Sequence, residues 1–174
     1  MVWEDILQCI SGRRSIRSFL SNKVEDWKEK KLLEAANAAP SAGNAQSRFF
    51  YLVKNTGLRE RLSQAAYGQG SIGEAPLVFV VCSDSVRSAS RYGERGETLY
   101  AIQDATASIQ NILLAAHAMG LGSCWVGAFD EEGARDILSI PDTLRPIALI
   151  PVGYPNEKPR KSTRRLLTEV SKII

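Results

Sequence analysis

The sequence predicts an α+β or α/β domain built on a mixed sheet of about four strands. Three observations carry that prediction. Segments with helical apolar spacing alternate with strand-like segments along the chain. The stretch "APLVFVVC", residues 75–82, is a continuous apolar run of strand length, as expected for a strand buried on both faces. The stretch "ETLYAIQDATASIQNILLAAHAMG", residues 97–120, repeats apolar residues at threes and fours for far longer than a strand runs.

Each element has its own signal. Val2, Trp3, Ile6, Leu7 and Ile10 recur at helical spacing and predict a helix over Val2 to Ser11. "EDWKEKKLLEAANAA" places Leu32, Ala35, Ala36 and Ala39 on one side of a second helix, which Pro40 stops. "SRFFYLVKN" reads as a strand and "LRERLSQAAY" as a short helix. The apolar strand at 75–83 follows, and then a polar stretch, Arg87 to Arg95, that reads as loop. The long helix carries Leu99, Ile102, Ala105, Ile109, Ile112, Leu113 and Ala116 as its core stripe, with Gly120 placed to end it. Ala101, Ala105, Ala107 and Ser108 would let a second helix approach closely. "GSCWVGAF" reads as a strand, "DEEGARDILSI" as a helix with Asp130 as N-cap, and "LRPIALIPVGYP" as the last strand. The tail, 156–174, ends in "LLTEVSKII", whose apolar residues need a partner surface. An arm crossing a dimer and an ordinary helix on its own domain both answer that need.

Composition narrows the function. The 174 residues suit one domain, 1–174, with enough chain to bury a core. A net charge of +3 is small beside the clustered basic bias of most nucleic-acid binders and disfavours that partner. The longest apolar run is too short to span a bilayer, so no membrane partner is expected. Glu4 and Asp5 stand where a signal peptide would be basic, which points to a cytoplasmic protein. Cys9, Cys82 and Cys124 are scattered and odd in number, against a disulfide framework or a zinc site, so no metal is expected. His117 is the only histidine and sits near the end of an apolar helix, where a packed or helix-end role suits it better than catalysis.

"GQGSIG", residues 68–73, matches the G-x-G-x-x-G dinucleotide fingerprint. That loop must follow a strand and open a helix. Here a helix precedes it and a strand follows, so a turn entering the strand is the better reading.

Four other stretches carry chemistry. "SGRRSIRSF" brings Arg13, Arg14, Arg17 and Ser15 together; guanidinium forks and a hydroxyl suit a phosphate, and a solvated basic turn is the alternative. "APSAGNAQS" is rich in small residues. Backbone can approach a ligand at Ser41, Ala42 and Gly43, while Asn44 and Gln46 each offer donor and acceptor groups. "GLGSCWVGAF" puts Gly127 at a strand end, where a backbone N–H could face a flat ligand. "KPRKSTRR", residues 158–165, is a second cationic cluster. Two separated clusters in a chain of low net charge suggest convergence on one anion.

At these four stretches, in the same order, the sequence resembles the nitroreductase family of FMN-dependent oxidoreductases. R-R-S-x-R-x-F combined with A-P-S-x-x-N-x-Q carries the resemblance, with a long helix leading into G-L-G-S-x-W. The sequence has Ser47 and Arg48 where the family usually has proline after the glutamine. The resemblance implies an α+β fold, a mixed, mainly antiparallel sheet wrapped by helices, in an intertwined homodimer with FMN at the interface. The arm at about 156–174 would cross that dimer. Arg13, Arg14 and Ser15 would hold the FMN phosphate and ribityl chain, with Arg17 by the pyrimidine edge. Lys158 and Arg160 would close on the phosphate. Pro40, Ser41, Ala42 and Asn44, with Gln46 in the same loop, would come from the other subunit. The Trp125–Val126–Gly127 backbone would face the N5 region, and Gln69 would bond the flavin through its carboxamide.

The implied reaction passes a hydride from NADH or NADPH through flavin N5 to a nitroaromatic, a quinone or a similar small-molecule acceptor, in ping-pong order. Arg17 would stabilise charge on the reduced ring, and no side-chain acid or base is required. A flavin-destroying or dehalogenating relative, a non-catalytic FMN-binding protein and an NAD-binding module are the rival readings.

Overall fold

A computed structural model describes residues 3–174. Val2, at the head of the first expected helix, lies outside the described residues. The elements run α1 (Trp3–Gly12), α2 (Asp26–Asn37), β1 (Arg48–Val53), α3 (Thr56–Ala65), α4 (Gly70–Glu74), β2 (Leu77–Asp84), α5 (Ser85–Arg95), α6 (Ala101–Ala118), β3 (Gly122–Ser123), α7 (Glu131–Leu138), β4 (Leu144–Gly153) and α8 (Leu167–Val170).

The strands form one sheet in the order β1-β2-β4-β3, with every neighbouring pair antiparallel. The parallel component is a single bridge from Ser15, which lies outside the four strands, to Ser123 of β3. Successive side chains of β2 point to opposite faces and are nearly all buried, as its unbroken apolar run implies. Val78, Val80 and Cys82 pack with Ile16, Phe19, Leu62, Ile72 and Ala134, so α3, α4 and α7 cover that face. Leu77, Phe79 and Val81 pack with Leu32, Ala36, Ala105, Ile109 and Ile112, so α2 and α6 cover the other. Truncating fully buried Phe79 to alanine would cost about 3–5 kcal/mol. The helix that meets the small residues of α6 is α2, and Asn111 Nδ2 donates to Ala35 O at 2.9 Å between them.

Several expectations change. Residues 85–95 form helix α5, not a loop. Asp84 caps it, its side chain accepting from Arg87 N at 2.9 Å. The strand expected over 122–129 pairs regularly only at 122–123. Cys124 N donates to Pro151 O at 3.3 Å, and proline has no N–H to return the bond. Pairing resumes at Val126, which exchanges two 3.0 Å bonds with Leu149. "GQGSIG" opens the five-residue helix α4 between α3 and β2, so it enters the strand through a helical turn. Asp130 sits at the N-cap of α7 but makes no side-chain cap bond; its backbone N–H donates to Ala65 O at 2.8 Å. The long helix is preceded by a π-turn at Gly96–Tyr100. The end of the tail does not bury its apolar residues on its own chain: Leu166, Leu167, Val170, Ile173 and Ile174 are all exposed. Among the described residues no helix is long and apolar enough to cross a membrane, and no acidic, histidine or cysteine cluster could hold a metal.

Candidate active site

The arginine segment is fixed at both ends. Arg13 N donates to Cys9 O at 3.0 Å at the close of α1, and Ile16 N donates to Ser123 O at 3.0 Å beside β3. Ile16 and Phe19 turn into the core while Arg17 stays exposed. A Cβ on Gly122 would lie 2.8 Å from Ile16 side-chain atoms, so glycine lets the segment close on the sheet.

After β4 the chain zips back along this segment. Leu20 N donates to Tyr154 O and Asn156 N to Ser18 O, both at 2.9 Å. The Glu157 carboxylate accepts from Arg17 N and, at 3.1 Å, from Ser18 N. The arm then folds over the arginines. A cleft of about 170 Å³ results, lined by Arg13, Arg14, Ser15 and Arg17 from one side and Pro159, Arg160, Ser162 and Arg164 from the other. Arg14 is braced by Nη1 bonds to Ser11 O at 2.7 Å and Arg13 O at 2.8 Å. Five guanidiniums and two hydroxyls line the cleft, and no carboxylate does. That donor set fits a dianionic phosphate. Lys158 is not on this wall; it borders the adjoining hollow with Gly12, His117 and Glu157. Ser162 and Arg164 take its place. They lie inside "KPRKSTRR", so the cluster was visible while the facing side chains were not.

Ser15 of this cleft bridges to Ser123, and just beyond Ser123 Val126 is buried and held by Leu149, while Trp125 and Gly127 are exposed. Ala128, next along the backbone, is exposed as well. Gln69 braces it from below: Nε2 donates to Ala128 O at 2.9 Å and to Ala66 O at 3.1 Å. Both amide hydrogens are thereby committed, which leaves the Oε1 of Gln69 as the acceptor it offers a ligand.

The Pro40–Gln46 loop is a separate construction. Gly43, Asn44 and Gln46 all have positive φ, at 51°, 57° and 54°. For the two non-glycine residues that is a costly conformation, which surrounding structure must impose. The restraints are visible. Buried Asp104 accepts from Ala42 N at 2.9 Å and from Ser47 N at 3.4 Å. Ser41 Oγ accepts from Gln46 N at 2.9 Å. Arg48, also buried, donates to Asn37 O at 2.8 Å, Ala39 O at 2.9 Å and Pro40 O at 3.3 Å. Burial lowers the Arg48 pKa, with the Asp104 charge opposing it. Arg48 thus anchors the loop entry, one residue after Ser47, the position where the sequence departs from the family pattern. From outside, Arg91 Nη1 donates to Gly43 O at 2.6 Å and Arg87 Nε to Ala45 O. Asp104, Arg48, Arg87 and Arg91 were not among the sequence candidates. Nothing in a helical stripe marks an aspartate that will turn inward to hold a loop.

The two halves are apart. Asp104 holds the Pro40–Gln46 loop near the start of α6, and His117 lies against Gly12 near its end. Thirteen residues of helix put these anchors roughly 20 Å apart. The chain therefore brings Arg13, Arg14, Ser15, Arg17 and Arg160 together, holds Ala128, next to Gly127, through Gln69, and sets Pro40, Ser41, Ala42, Asn44 and Gln46 elsewhere.

Comparison with known proteins identifies the family. The nitroreductase family profile matches residues 10–72 and 65–154. The chain belongs to the nitroreductase family. A Methanothermobacter thermautotrophicus protein whose name carries NADH dehydrogenase and NAD(P)H nitroreductase is 35% identical over 159 residues, 89% of this chain and 80% of that one. A Thermus thermophilus NADH dehydrogenase is 34% identical over 185 residues, 91% and 90% of the two chains. The structure of the Vibrio harveyi NADPH:FMN oxidoreductase in complex with NAD⁺ matches with a TM-score of 0.89 at 26% identity, over 97% of this chain and 76% of that one. The α+β fold of this nitroreductase-family chain is thus that of its relatives.

Proposed function

We propose that this chain is a single-domain, FMN-dependent oxidoreductase that takes reducing equivalents from NADH or NADPH and delivers them to a nitroaromatic, quinone or similar electron-poor acceptor. The observation that carries the proposal is the five-arginine cleft without a carboxylate, whose Ser15 bridges to Ser123 just ahead of exposed Trp125 and Gly127. The related NADPH:FMN oxidoreductase and an FMN-dependent nitroreductase of Clostridium difficile, the latter with a TM-score of 0.78 at 27% identity, support FMN as the group that fits.

FMN, when bound, supplies hydride acceptance and release at N5. The chain supplies position and charge. Arg13, Arg14, Ser15 and Arg160, with Ser162 and Arg164, hold the phosphate. Arg17, its backbone fixed by Glu157, puts positive charge at the pyrimidine edge. The Trp125–Gly127 backbone and Gln69 Oε1 border the ring. No side chain is required to move a proton. Reductant and acceptor would take turns at the one site these residues border, which is the basis of the ping-pong order.

The Pro40–Gln46 loop completes the site from a second copy of the chain. The separation along α6 supports this, and so does unmatched apolar surface. The tail exposes Leu166, Leu167, Val170, Ile173 and Ile174, while α1 exposes Ile6, Leu7 and Ile10 beside an apolar groove of about 300 Å³. A reducing, cytoplasmic setting belongs to the same proposal; Cys9, Cys82 and Cys124 are all unpaired.

Steady-state kinetics tests the reading. With FMN supplied, double-reciprocal plots against NAD(P)H at several acceptor concentrations should be parallel. Intersecting lines would reject the ping-pong order, and no NAD(P)H consumption at all would reject the function.

A further inference from the structure

Helix α5 carries arginines at positions 87 and 91, four residues apart and so on one face, and Arg95 follows just beyond a break in the helix at Gly93. A stripe of like charges is unfavourable on a helix unless something negative meets it. None of the ion pairs among the described residues involves these three arginines, although Glu94 and Glu97 are their sequence neighbours. Arg87 and Arg91 spend part of their hydrogen-bonding capacity on the carbonyls of Ala45 and Gly43. Among the described residues Arg95 bonds only the Tyr100 hydroxyl, through Nε at 2.9 Å, and it is exposed.

Two tyrosines make the stripe into a shaped surface. Gly93, with φ 55° and ψ −144°, breaks the helix, and Gly96 approaches Ser88 O so closely that a Cβ would collide with it. The chain doubles back and sets Tyr100 edge-on to Tyr92, with centroids 5.2 Å apart at 84°. The Arg91 guanidinium lies 5.5 Å from the Tyr92 ring and that of Arg95 lies 5.3 Å from the Tyr100 ring. The Tyr92 hydroxyl and Arg91 sit directly over Gly43, where any Cβ would strike them.

We propose that Arg91, Arg95, Tyr92 and Tyr100 form the acceptor subsite, and that it selects planar acceptors bearing an anionic group, such as an aromatic sulfonate or carboxylate. The inference rests on the proposed function, because only a Pro40–Gln46 loop that borders the flavin puts this surface beside the reacting ring. Aromatic faces then take the planar body of the acceptor, and the guanidiniums take its charge.

The test compares 1,4-naphthoquinone with its 2-sulfonate, using wild type, Arg95→Gln and Arg95→Lys with FMN and NADPH. Gln can still donate to Tyr100 but carries no charge. The expected result is a fall of about fivefold in the sulfonate-to-neutral ratio of kcat/KM in Arg95→Gln, expressed in KM, with recovery in Arg95→Lys. In wild type the ratio should also fall as salt is added. Taking the ratio between variants cancels the intrinsic reactivity difference of the two quinones. A ratio unmoved by Arg95→Gln and by salt, in an enzyme that reduces both quinones, would overturn the subsite and leave the proposed function standing. A change in the NADPH-to-NADH ratio in place of the quinone ratio would also overturn it, since the stripe would then read the reductant. Reduction of neither quinone by wild type would overturn the proposed function and the subsite together.

Discussion

Replacing Asp104 with alanine should loosen the Pro40–Gln46 loop and destabilise the chain by about 3 kcal/mol. The figure comes from two bonds. The 2.9 Å bond from Ala42 N to a carboxylate is worth about 1.5–3 kcal/mol. The bond from Ser47 N is long at 3.4 Å, but Ser47 is fully buried, so its N–H would be orphaned at a cost of about 1–2 kcal/mol. Water can reach half-buried Ala42, which trims the sum. For a chain of this size, about 3 kcal/mol corresponds to a Tm lower by roughly 6–12 °C. Asp104→Asn keeps one oxygen for Ala42 N–H but turns an NH₂ toward Ser47 N–H, so it should fall between wild type and alanine. Thermal unfolding followed by circular dichroism, at fixed protein concentration, measures both variants. FMN titration by flavin fluorescence then reads the loop, whose positive-φ residues would relax, and the dissociation constant should rise about tenfold. A Tm within about 2 °C of wild type for Asp104→Ala would refute the claim that this carboxylate holds the loop. Unchanged FMN affinity would refute the claim that the loop borders the flavin.

Three further outcomes follow from the geometry. Protomers carrying Arg13→Glu with Arg160→Glu should bind no FMN, and protomers carrying Gly43→Val should bind it weakly; co-expressing the two should restore about a quarter of the wild-type sites, because random pairing gives mixed dimers with one intact site each. No recovery in mixed dimers would place the whole site in one protomer. Arg145 Nε and Nη2 each bond Glu131 at 2.8 Å and hold its carboxyl below the ordinary glutamate value. Both side chains are largely exposed, so Arg145→Gln should cost less than about 1 kcal/mol near neutral pH. The lowered pKa makes that contribution present above the ordinary glutamate value, so the gap in denaturant midpoint should close as pH falls below about 4. Burial pushes the Cys82 thiol up to about 12, so iodoacetamide at mildly alkaline pH should modify it only after denaturant is added, as peptide mass spectrometry would show.

The elements that bury an apolar stripe were legible in the sequence. β2 reads as a strand buried on both faces and is one, and the stripe of α6 from Ala105 to Ala116 faces the core. Helix α5 was not legible, because it has no such stripe. Val86 is exposed, and the helix is held by the Asp84 cap and by arginines reaching the carbonyls of Gly43 and Ala45. "GSCWVGAF" has the apolar content of a strand, but its pairing depends on whether the partner can donate, and Pro151 cannot. The arginine cluster and the Pro40–Gln46 loop were legible as unusual local chemistry. Which residues of the second cationic cluster face the first depends on the path after Glu157, so Arg164 and Lys158 changed places. The residues that shape the loop, Asp104 and Arg48, act across long sequence separations and leave no local pattern.

The measurement that bears most directly on the central claim is the absorption spectrum of the FMN-loaded protein under anaerobic NADH or NADPH. The account predicts flavin bands that bleach, then return when a quinone or nitroaromatic is added. Failure to take up FMN, or bands that stay oxidised with both NADH and NADPH, would contradict it.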